Sequence, residues 1–499
     1  MRMTPWLSAR ATLTPALPAL AVAGSELDFA SLARRAADTA ARLRGLGLGR
    51  GDLVAVLLGN GLPLVELVHA APLCGATLLP LNTRLTPREL AFQLADARPR
   101  LLVHGADGLA DAAREAAVAL PGLMRVGIAP GDAPRLVELP LDSSALRTEV
   151  DLEETAAVLY TSGTSGAPKG AELSYANLFW SALASTLHLG ARPEDRWLAC
   201  LPLFHVGGLS ILLRSVLTGA AVTLHQRFEP EAVNGALDAD GITLVSLVAT
   251  MLQRLLDARG ARRAPPGLRG VLLGGGPAPG ALLERAAALG FPVLPSYGLT
   301  ETASQVATLP LHDVGRSDTA GRPLFGSRIR IVGDDGTERR AGEAGEIQVR
   351  GPTVMKGYLR RPAESAATLR EGWLRTGDVG CLQADGSLRV LDRRSDLVVS
   401  GGENVYPAEV EAALLEHPAV AEAGVTGEPD PAFGRRVSAW IVLRPGARAE
   451  AEELRAFCRA RLAGYKVPRV IRFAASLPRN AAGKLLRRAL PEAPVDTIE

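Results

Sequence analysis

Apolar strand patterns with no polar face recur along most of the chain, and this recurrence limits the possible fold more than any other feature. They stand at 53–58, 77–80, 101–104, 197–200, 221–224, 244–248, 270–273 and 292–294, with helical patterns at 32–48, 63–73 and 90–96 around the first of them. A strand that is apolar on both sides must be covered on both sides, and strands alternating with helices connect most readily in parallel. The expectation is an α/β region of mainly parallel sheets. Alternating strands with Gly and Asp-Gly turns over 329–349 predict a β-rich segment within it. After the charged tract Asp392, Arg393, Arg394, Ser395 and Asp396, helical patterns at 407–416 and 451–462 and strand patterns at 437–443 and 470–473 suffice for a small α+β domain. At 499 residues the chain exceeds one ordinary core. The predicted division is a large N-terminal domain over 1–391, a link at 392–396 and a small C-terminal domain over 397–499.

The 55 basic and 53 acidic residues leave a net charge of +2, which offers no electrostatic handle for nucleic acid or an anionic membrane. Cys74, Cys200, Cys381 and Cys458 are far apart and form neither a CxxC pair nor a metal cluster, so a reducing cytoplasm is the default. Near the start, basic residues, an apolar run and Ala21-Val22-Ala23 mimic a secretion signal. Pro15 and Pro18 interrupt it, and 19–29 reads better as two short strands around Gly24 and Ser25. No uninterrupted apolar run approaches the roughly 20 residues needed to span a bilayer.

Among the 55 basic residues only four are lysine: Lys169, Lys356, Lys466 and Lys484. Arginine is a broad planar fork, whereas lysine is a compact point charge that enters a crowded phosphate site. Residual lysines are therefore candidates for places where arginine does not fit, against the alternative of chance retention on the surface.

The strongest local signal is Tyr160 to Gly170, reading Tyr-Thr-Ser-Gly-Thr-Ser-Gly-Ala-Pro-Lys-Gly directly after the apolar 156–159. Its glycines let backbone approach a polyanion, its hydroxyls and N–H groups donate to phosphate oxygens, and Lys169 adds charge. Pro168 before the lysine and Gly170 after it depart from the Walker pattern, which disfavours an ordinary P-loop NTPase. A second signal, Ser296-Tyr297-Gly298-Leu299-Thr300-Glu301-Thr302, follows the strand pattern at 292–294. It joins a ring suited to stacking on a base, a hydroxyl and a carboxylate able to hold Mg²⁺. A turn with a helix-capping Thr would look similar. Upstream, Gly274-Gly275-Gly276-Pro277 is placed to wrap an edge of adenine but lacks the dinucleotide spacing. The third signal, 372–378, ends in Asp378, read as a loop carboxylate for a ribose, with Arg393 shortly after; alone, it reads equally as a surface turn.

These motifs, in this order, with Ser400 to Pro407 and Pro478 to Lys484 behind them, resemble the adenylate-forming superfamily of acyl-CoA synthetases, peptide-synthetase adenylation domains and luciferases. The likeness covers essentially the whole chain. It implies ATP, Mg²⁺ and coenzyme A as cofactor and co-substrates, and a small carboxylic acid as partner, with neither nucleic acid nor an integral membrane; homo-oligomerisation stays open. Residue by residue, it implies that Thr161, Ser162, Gly163, Thr164, Ser165, Gly166 and Lys169 hold the β- and γ-phosphates. Gly275, Gly276, Pro277, Ser296, Tyr297 and Gly298 surround adenine, with Tyr297 stacked on it. Thr300 reaches phosphate, Glu301 binds the metal, Asp378 and Arg393 hold ribose, and Lys484 bridges the reacting carboxylate and the α-phosphate. The C-terminal domain is mobile in such proteins, pivoting here at Ser395, and Gly401 and Gly402 would then line the pantetheine path. Lys466 is a helper for CoA or a retained surface lysine; Lys356 reads as structural.

Longer strings at 195–198, 201–210, 224–228, 272–279 and 391–397 are similar to the branch of the superfamily that forms the CoA thioester of o-succinylbenzoate in menaquinone biosynthesis. That acid is an aromatic keto-dicarboxylate, so its pocket needs apolar walls and donors for the unreacted carboxylate. His205, Arg227, Thr250, Ser304 and Gln305 are the candidates. His205 reads equally as a packed core histidine and Arg227 as a surface charge. The alternatives are another aryl- or medium-chain acyl-CoA ligase and a non-catalytic adenylate-binding regulator; intact Lys484, Glu301 and Asp378 oppose the regulator.

Overall fold

The computed structural model describes residues 1–106, 108–118, 120–128, 139–142, 144–161, 168–276, 278–393, 396, 398–400, 403–430, 434–462, 464–479, 483 and 485–492. Two large sheets dominate. The seven-stranded sheet runs, from one edge to the other, Gly357–Tyr358, Lys169–Ser174, Thr155–Thr161, Thr77–Pro80, Leu53–Leu57, Leu101–Gly105 and Met124–Ile128. From Thr155–Thr161 to Met124–Ile128 every pairing is parallel, and the other two strands are antiparallel. The nine-stranded sheet has a parallel centre made of Val293–Leu299, Gly270–Gly274, Leu244–Val248, Arg196–Ala199, Ala221–Leu224 and Pro18–Val22, with antiparallel strands on both edges. The strands around Gly24 expected from the sequence are present, as Pro18–Val22 and Ser25–Asp28.

Two helices join the sheets. Phe29–Gly45 buries Leu32, Ala36, Ala40 and Leu43 along one stripe and is capped by Asp28, whose carboxylate accepts the Ser31 N–H at 2.7 Å. Leu62–Cys74 is buried almost all round and ends at Gly75 in the left-handed conformation, φ 85°. Their side chains pack into one core with Val54 and Val56 of the first sheet and Leu20, Val222 and Leu224 of the second. A helix apolar on every side is stable only between two layers, which is where this one lies.

The β-rich segment forms a third sheet, Arg328–Val332, Gly345–Arg350, Trp373–Leu382 and Leu369–Arg370, with Leu388–Arg393 added to Trp373–Leu382. Past residue 397 a separate five-stranded sheet is built on Gly434–Leu443, flanked by Val420–Asp430, Val398–Ser400 and the parallel Val470–Phe473. It has its own core of Val398, Val410, Leu414, Val425, Val437, Ile441 and Leu454. The strand Val420–Asp430 and the helices Tyr175–Leu189 and Val206–Thr218 lie outside the elements read from the sequence.

Each large sheet has a switch point where successive connections leave in opposite directions, and open α/β sheets place ligands beyond the carboxyl ends of such strands. In the first sheet it follows Leu53–Leu57, whose neighbours Thr77–Pro80 and Leu101–Gly105 come next in the chain; in the second it follows Arg196–Ala199, between Ala221–Leu224 and Leu244–Val248. Asn60 ties the two together. Its amide donates to the Leu201 carbonyl at 2.9 Å and the His225 carbonyl at 3.1 Å, and its oxygen accepts the Leu203 N–H at 2.9 Å. Replacing Asn60 with Leu leaves these buried backbone groups unpaired and is expected to destabilise the large domain by about 2–4 kcal/mol. Urea unfolding measures this, and a change below about 0.5 kcal/mol, the range of an ordinary surface substitution, contradicts it.

Candidate active site

The polyanion motif is a hairpin. Thr155–Thr161 returns as Lys169–Ser174, with Thr161 and Lys169 directly opposed across the pair. The motif thus joins two paired strands, unlike the strand and helix joined in a Walker site. Residues 162–166 lie outside the described residues, as do Pro277, Gly401, Gly402 and Lys484; Arg393 is described only by its backbone. Next to Thr161, the Tyr160 hydroxyl donates to Asp96 Oδ2 at 2.7 Å, and Arg361 Nη2 holds the other oxygen at 3.0 Å. Burial, with Asp96 second, pushes the Tyr160 phenol well above its ordinary range, so it stays a donor.

The second motif is strand as far as Leu299. Val293–Leu299 pairs antiparallel with Ser304–Thr308, and Thr300–Thr302 forms a single 3₁₀ turn between them. Gly298 is required there, since a Cβ would fall 1.7 Å from the Ser304 carbonyl oxygen. After the turn, Ala303 and Ser304 take φ of 53° and 108°, conformations that cost a residue with a side chain of order 1–3 kcal/mol. Ser181 Oγ, from the helix Tyr175–Leu189, donates to the Ala303 carbonyl at 2.5 Å and helps hold the strained turn.

That turn presents Glu301 to the hairpin. Glu301 Oε1 accepts from the Tyr358 hydroxyl at 3.0 Å and from Thr161 Oγ1 at 3.5 Å, while its backbone carbonyl accepts the Met355 N–H at 2.8 Å. Lys169 Nζ stands 5.3 Å above the Tyr358 ring. No group of three His, Cys, Asp or Glu suited to a metal occurs among the described residues. A single carboxylate among hydroxyls fits Mg²⁺, which is commonly held by one or two carboxylates, substrate phosphates and water.

Asp378, expected in a loop, is instead buried within the strand Trp373–Leu382. Its Oδ2 accepts from the Tyr297 hydroxyl at 2.8 Å, and Arg393 is its partner across the antiparallel pair. The adenine and ribose candidates are thus adjacent. Gly275, at φ 81°, follows Gly270–Gly274 and packs toward Val248, while Ser296 Oγ bonds Thr308 Oγ1 at 2.9 Å, behind Tyr297.

The acid-pocket candidates fare unevenly. His205 occupies the N-cap position of the helix Val206–Thr218 at the second switch point, its ring tilted 57° against that of Phe204 with centroids 4.6 Å apart. Gly208 lets this loop lie against the helix, since a Cβ would meet the Pro202 carbonyl at 2.3 Å. Thr250 is exposed in the first turn of Ala249–Arg259, at the carboxyl end of a central strand. Ser304 sits on the strained turn. Gln305 is turned into the interior, donating to Thr308 Oγ1 at 2.8 Å and accepting from Arg214 at 3.4 Å. Arg227 is 82 % exposed and paired with Glu229 at 2.7 Å, which favours the surface-charge reading. Lys466 is paired with Glu409 at 2.7 Å, and Lys356 bonds the Glu153 carbonyl and Thr155 Oγ1, a structural arrangement.

The arrangement gives a polyanion hairpin, a metal-competent carboxylate and a buried Tyr–Asp pair at one edge of two sheets. The family model for AMP-binding enzymes matches residues 7–359, and that for the AMP-binding enzyme C-terminal domain matches 409–484. The chain belongs to the AMP-binding enzyme family. It is 47% identical over 489 residues to the 2-succinylbenzoate–CoA ligase of Geobacillus kaustophilus, covering 98% of this chain and 97% of that one. Among solved structures it is similar to the o-succinylbenzoate CoA synthetase (MenE) of Bacillus subtilis in complex with the acyl-adenylate intermediate OSB-AMP, with 41% identity, TM-score 0.93 and full coverage of both chains. The same enzyme with ATP and magnesium ion matches with TM-score 0.91 at 41% identity, over 98% of this chain and 100% of that one. Asn60, Tyr358, Asp96 and Arg214 have no sequence signal that marks them for the site: Asn60 sits in a Gly-Asn-Gly turn after a strand, Tyr358 lies two residues past Lys356 in a segment that reads as structural, and Asp96 and Arg214 lie in ordinary helical patterns.

Burial, helped by Arg84, pushes the His205 imidazole down to about 4, and burial alone does the same to His69. Both rings are neutral at pH 7. Below about 6.5 the unfolded chain takes up these protons and the folded one does not until near 4, so stability is present above that window and falls as pH drops through it. His205→Asn is expected to flatten the fall of melting temperature between pH 7 and 4.5; an unchanged slope contradicts the lowered imidazole.

Proposed function

We propose that this protein is an ATP-dependent, AMP-forming acid–thiol ligase that activates 2-succinylbenzoate (o-succinylbenzoate) as its acyl-adenylate and transfers the acyl group to coenzyme A. The observation that carries the reading is the convergence of Lys169, Glu301 and the Tyr297–Asp378 pair on one edge, in a chain alike over its full length to ligases of that acid. Its place is the menaquinone-pathway step that the sequence resemblance implies.

A carboxylate is a poor electrophile. Its oxygen attacks the α-phosphorus of ATP, the bond to the β-phosphate oxygen breaks, and pyrophosphate leaves. The CoA thiol then attacks the acyl carbon, and AMP departs with the original carboxylate oxygen. In the first step Lys169 and the 161–166 loop bind the β- and γ-phosphates, Thr300 reaches phosphate, and Asp378 with Arg393 holds ribose beside a Tyr297-stacked adenine. Mg²⁺, when bound at Glu301, supplies charge neutralisation on the phosphates. Lys484 stabilises charge growing between the acid and the α-phosphate. Ser395, within the 392–396 hinge, lets the 397–499 domain remove that lysine for the second step, with Gly401 and Gly402 lining the pantetheine path.

For the acid, we place His205 as a neutral wall of the pocket, with Thr250 and Ser304 as donors; the commitments of Gln305 and Arg227 argue against direct contact with the acid. Lys466 has a carboxylate partner in Glu409 and is a weaker candidate for CoA. The cytoplasm is the proposed location. No helix among the described residues is long and apolar enough to cross a membrane, and all four cysteines are buried and unpaired.

Two outcomes follow. Lys484→Ala is expected to lose adenylation by roughly a hundredfold or more, while still converting supplied acyl-adenylate to thioester; loss of neither half-reaction sinks the assignment. With 2-succinylbenzoate, benzoate and octanoate compared by pyrophosphate release and thioester formation, the dicarboxylate is expected to win. No preference for it would remove the substrate and leave the general ligase.

A further inference from the structure

The strand Gly357–Tyr358 closes one edge of the seven-stranded sheet, yet its side chain Tyr358 reaches across to the nine-stranded one. The backbone is fixed on three sides. Tyr358 is paired opposite Ala171 in the strand that begins at Lys169, the Leu359 N–H donates to the Gly170 carbonyl at 2.8 Å, and the Tyr358 N–H donates to Ser365 Oγ at 2.8 Å. Two residues beyond Leu359, Arg361 grips Asp96 at 3.0 Å, the carboxylate that also anchors Tyr160, the neighbour of Thr161. From this fixed base the phenol does two things at once. Its hydroxyl donates to Glu301 Oε1 at 3.0 Å, and its ring face lies 5.3 Å from the Lys169 ammonium.

We infer that Tyr358 is a positioning residue that sets the metal-binding carboxylate of Glu301 and the phosphate-binding ammonium of Lys169 relative to each other. The inference rests on the ligase reading above. A carboxylate on a short turn swings about its side-chain torsions; a hydrogen bond to one oxygen fixes its plane and leaves the other oxygen for the metal. A lysine held over a ring keeps its charge but loses freedom that phosphate binding would otherwise have to remove. Tyr358 thus prepares both groups before MgATP arrives, without touching the reacting atoms.

The hydroxyl and the ring separate cleanly by substitution. Tyr358→Phe keeps the ring below Lys169 and deletes the bond to Glu301; Tyr358→Leu deletes both. ATP binding to the full chain is measured by calorimetry without Mg²⁺ and across a Mg²⁺ series, with melting temperature recorded alongside. Tyr358→Phe is expected to raise the Mg²⁺ concentration that gives half of the metal-dependent tightening by about tenfold, the effect of losing one hydrogen bond to a charged group, while keeping metal-free ATP binding. Tyr358→Leu is expected to weaken metal-free binding as well. A Tyr358→Phe protein that melts earlier but shows the wild-type Mg²⁺ dependence overturns the inference and leaves a structural tyrosine. Failure of the unmodified protein to bind ATP with or without Mg²⁺ would instead overturn the ligase reading itself.

Discussion

The Glu301 carboxylate lies where two sheets with separate origins in the chain meet, and the geometry of the candidate site hangs on that junction. Thr161 comes to it from the hairpin of the seven-stranded sheet, Tyr358 from that sheet's edge strand, and Glu301 itself from the turn that ends a strand of the nine-stranded sheet. The turn is strained at Ala303 and Ser304, and its tightness depends on the absence of a side chain at Gly298. Backbone strain persists only where surrounding contacts over-determine it. Here the Ser181 bond to the Ala303 carbonyl and the Met355 N–H bond to the Glu301 carbonyl grip the two sides of the turn.

The same economy governs the polar interior. Asn60 satisfies three backbone groups from the loops that follow the second sheet's strands, and so fixes the distance between the two carboxyl-end edges. Arg214 is fully buried, and no carboxylate pairs with it among the described residues. Burial lowers it to about 9, and it is held by Ser185, Gln305 and the Ser210 backbone with the Trp197 ring 4.4 Å away. Hydrogen bonds and an aromatic face together replace the counter-ion that a buried guanidinium would otherwise need.

Much of the fold is legible in the amino-acid sequence. The apolar strands at 53–58, 77–80, 221–224 and 244–248 fall within a residue or so of the observed strands, because a strand buried on both faces leaves an uninterrupted signature. The stretch 296–302 stays together because it is contiguous: Tyr297 and Glu301 stand four residues apart, and the fold keeps them at one strand end and its turn. What sequence does not carry is partnership across the chain. Nothing local distinguishes Tyr358 from any tyrosine in a turn-rich segment, nor Gln305 facing a pocket from Gln305 facing Arg214. Asp378 reads as a loop residue for a related reason, since the Thr-Gly-Asp string that suggests a turn lies inside a long bulged strand.

Activation of the acid by attack on the α-phosphorus is the step on which every assigned role depends. The most direct measurement is the fate of ¹⁸O in a complete reaction with 2-succinylbenzoate labelled in its carboxylates, ATP, Mg²⁺ and coenzyme A. An acyl-adenylate requires one labelled oxygen to appear in the phosphate of AMP, with none in pyrophosphate. Label in orthophosphate, together with ADP as the nucleotide product, would mean an acyl-phosphate route and contradict the adenylate.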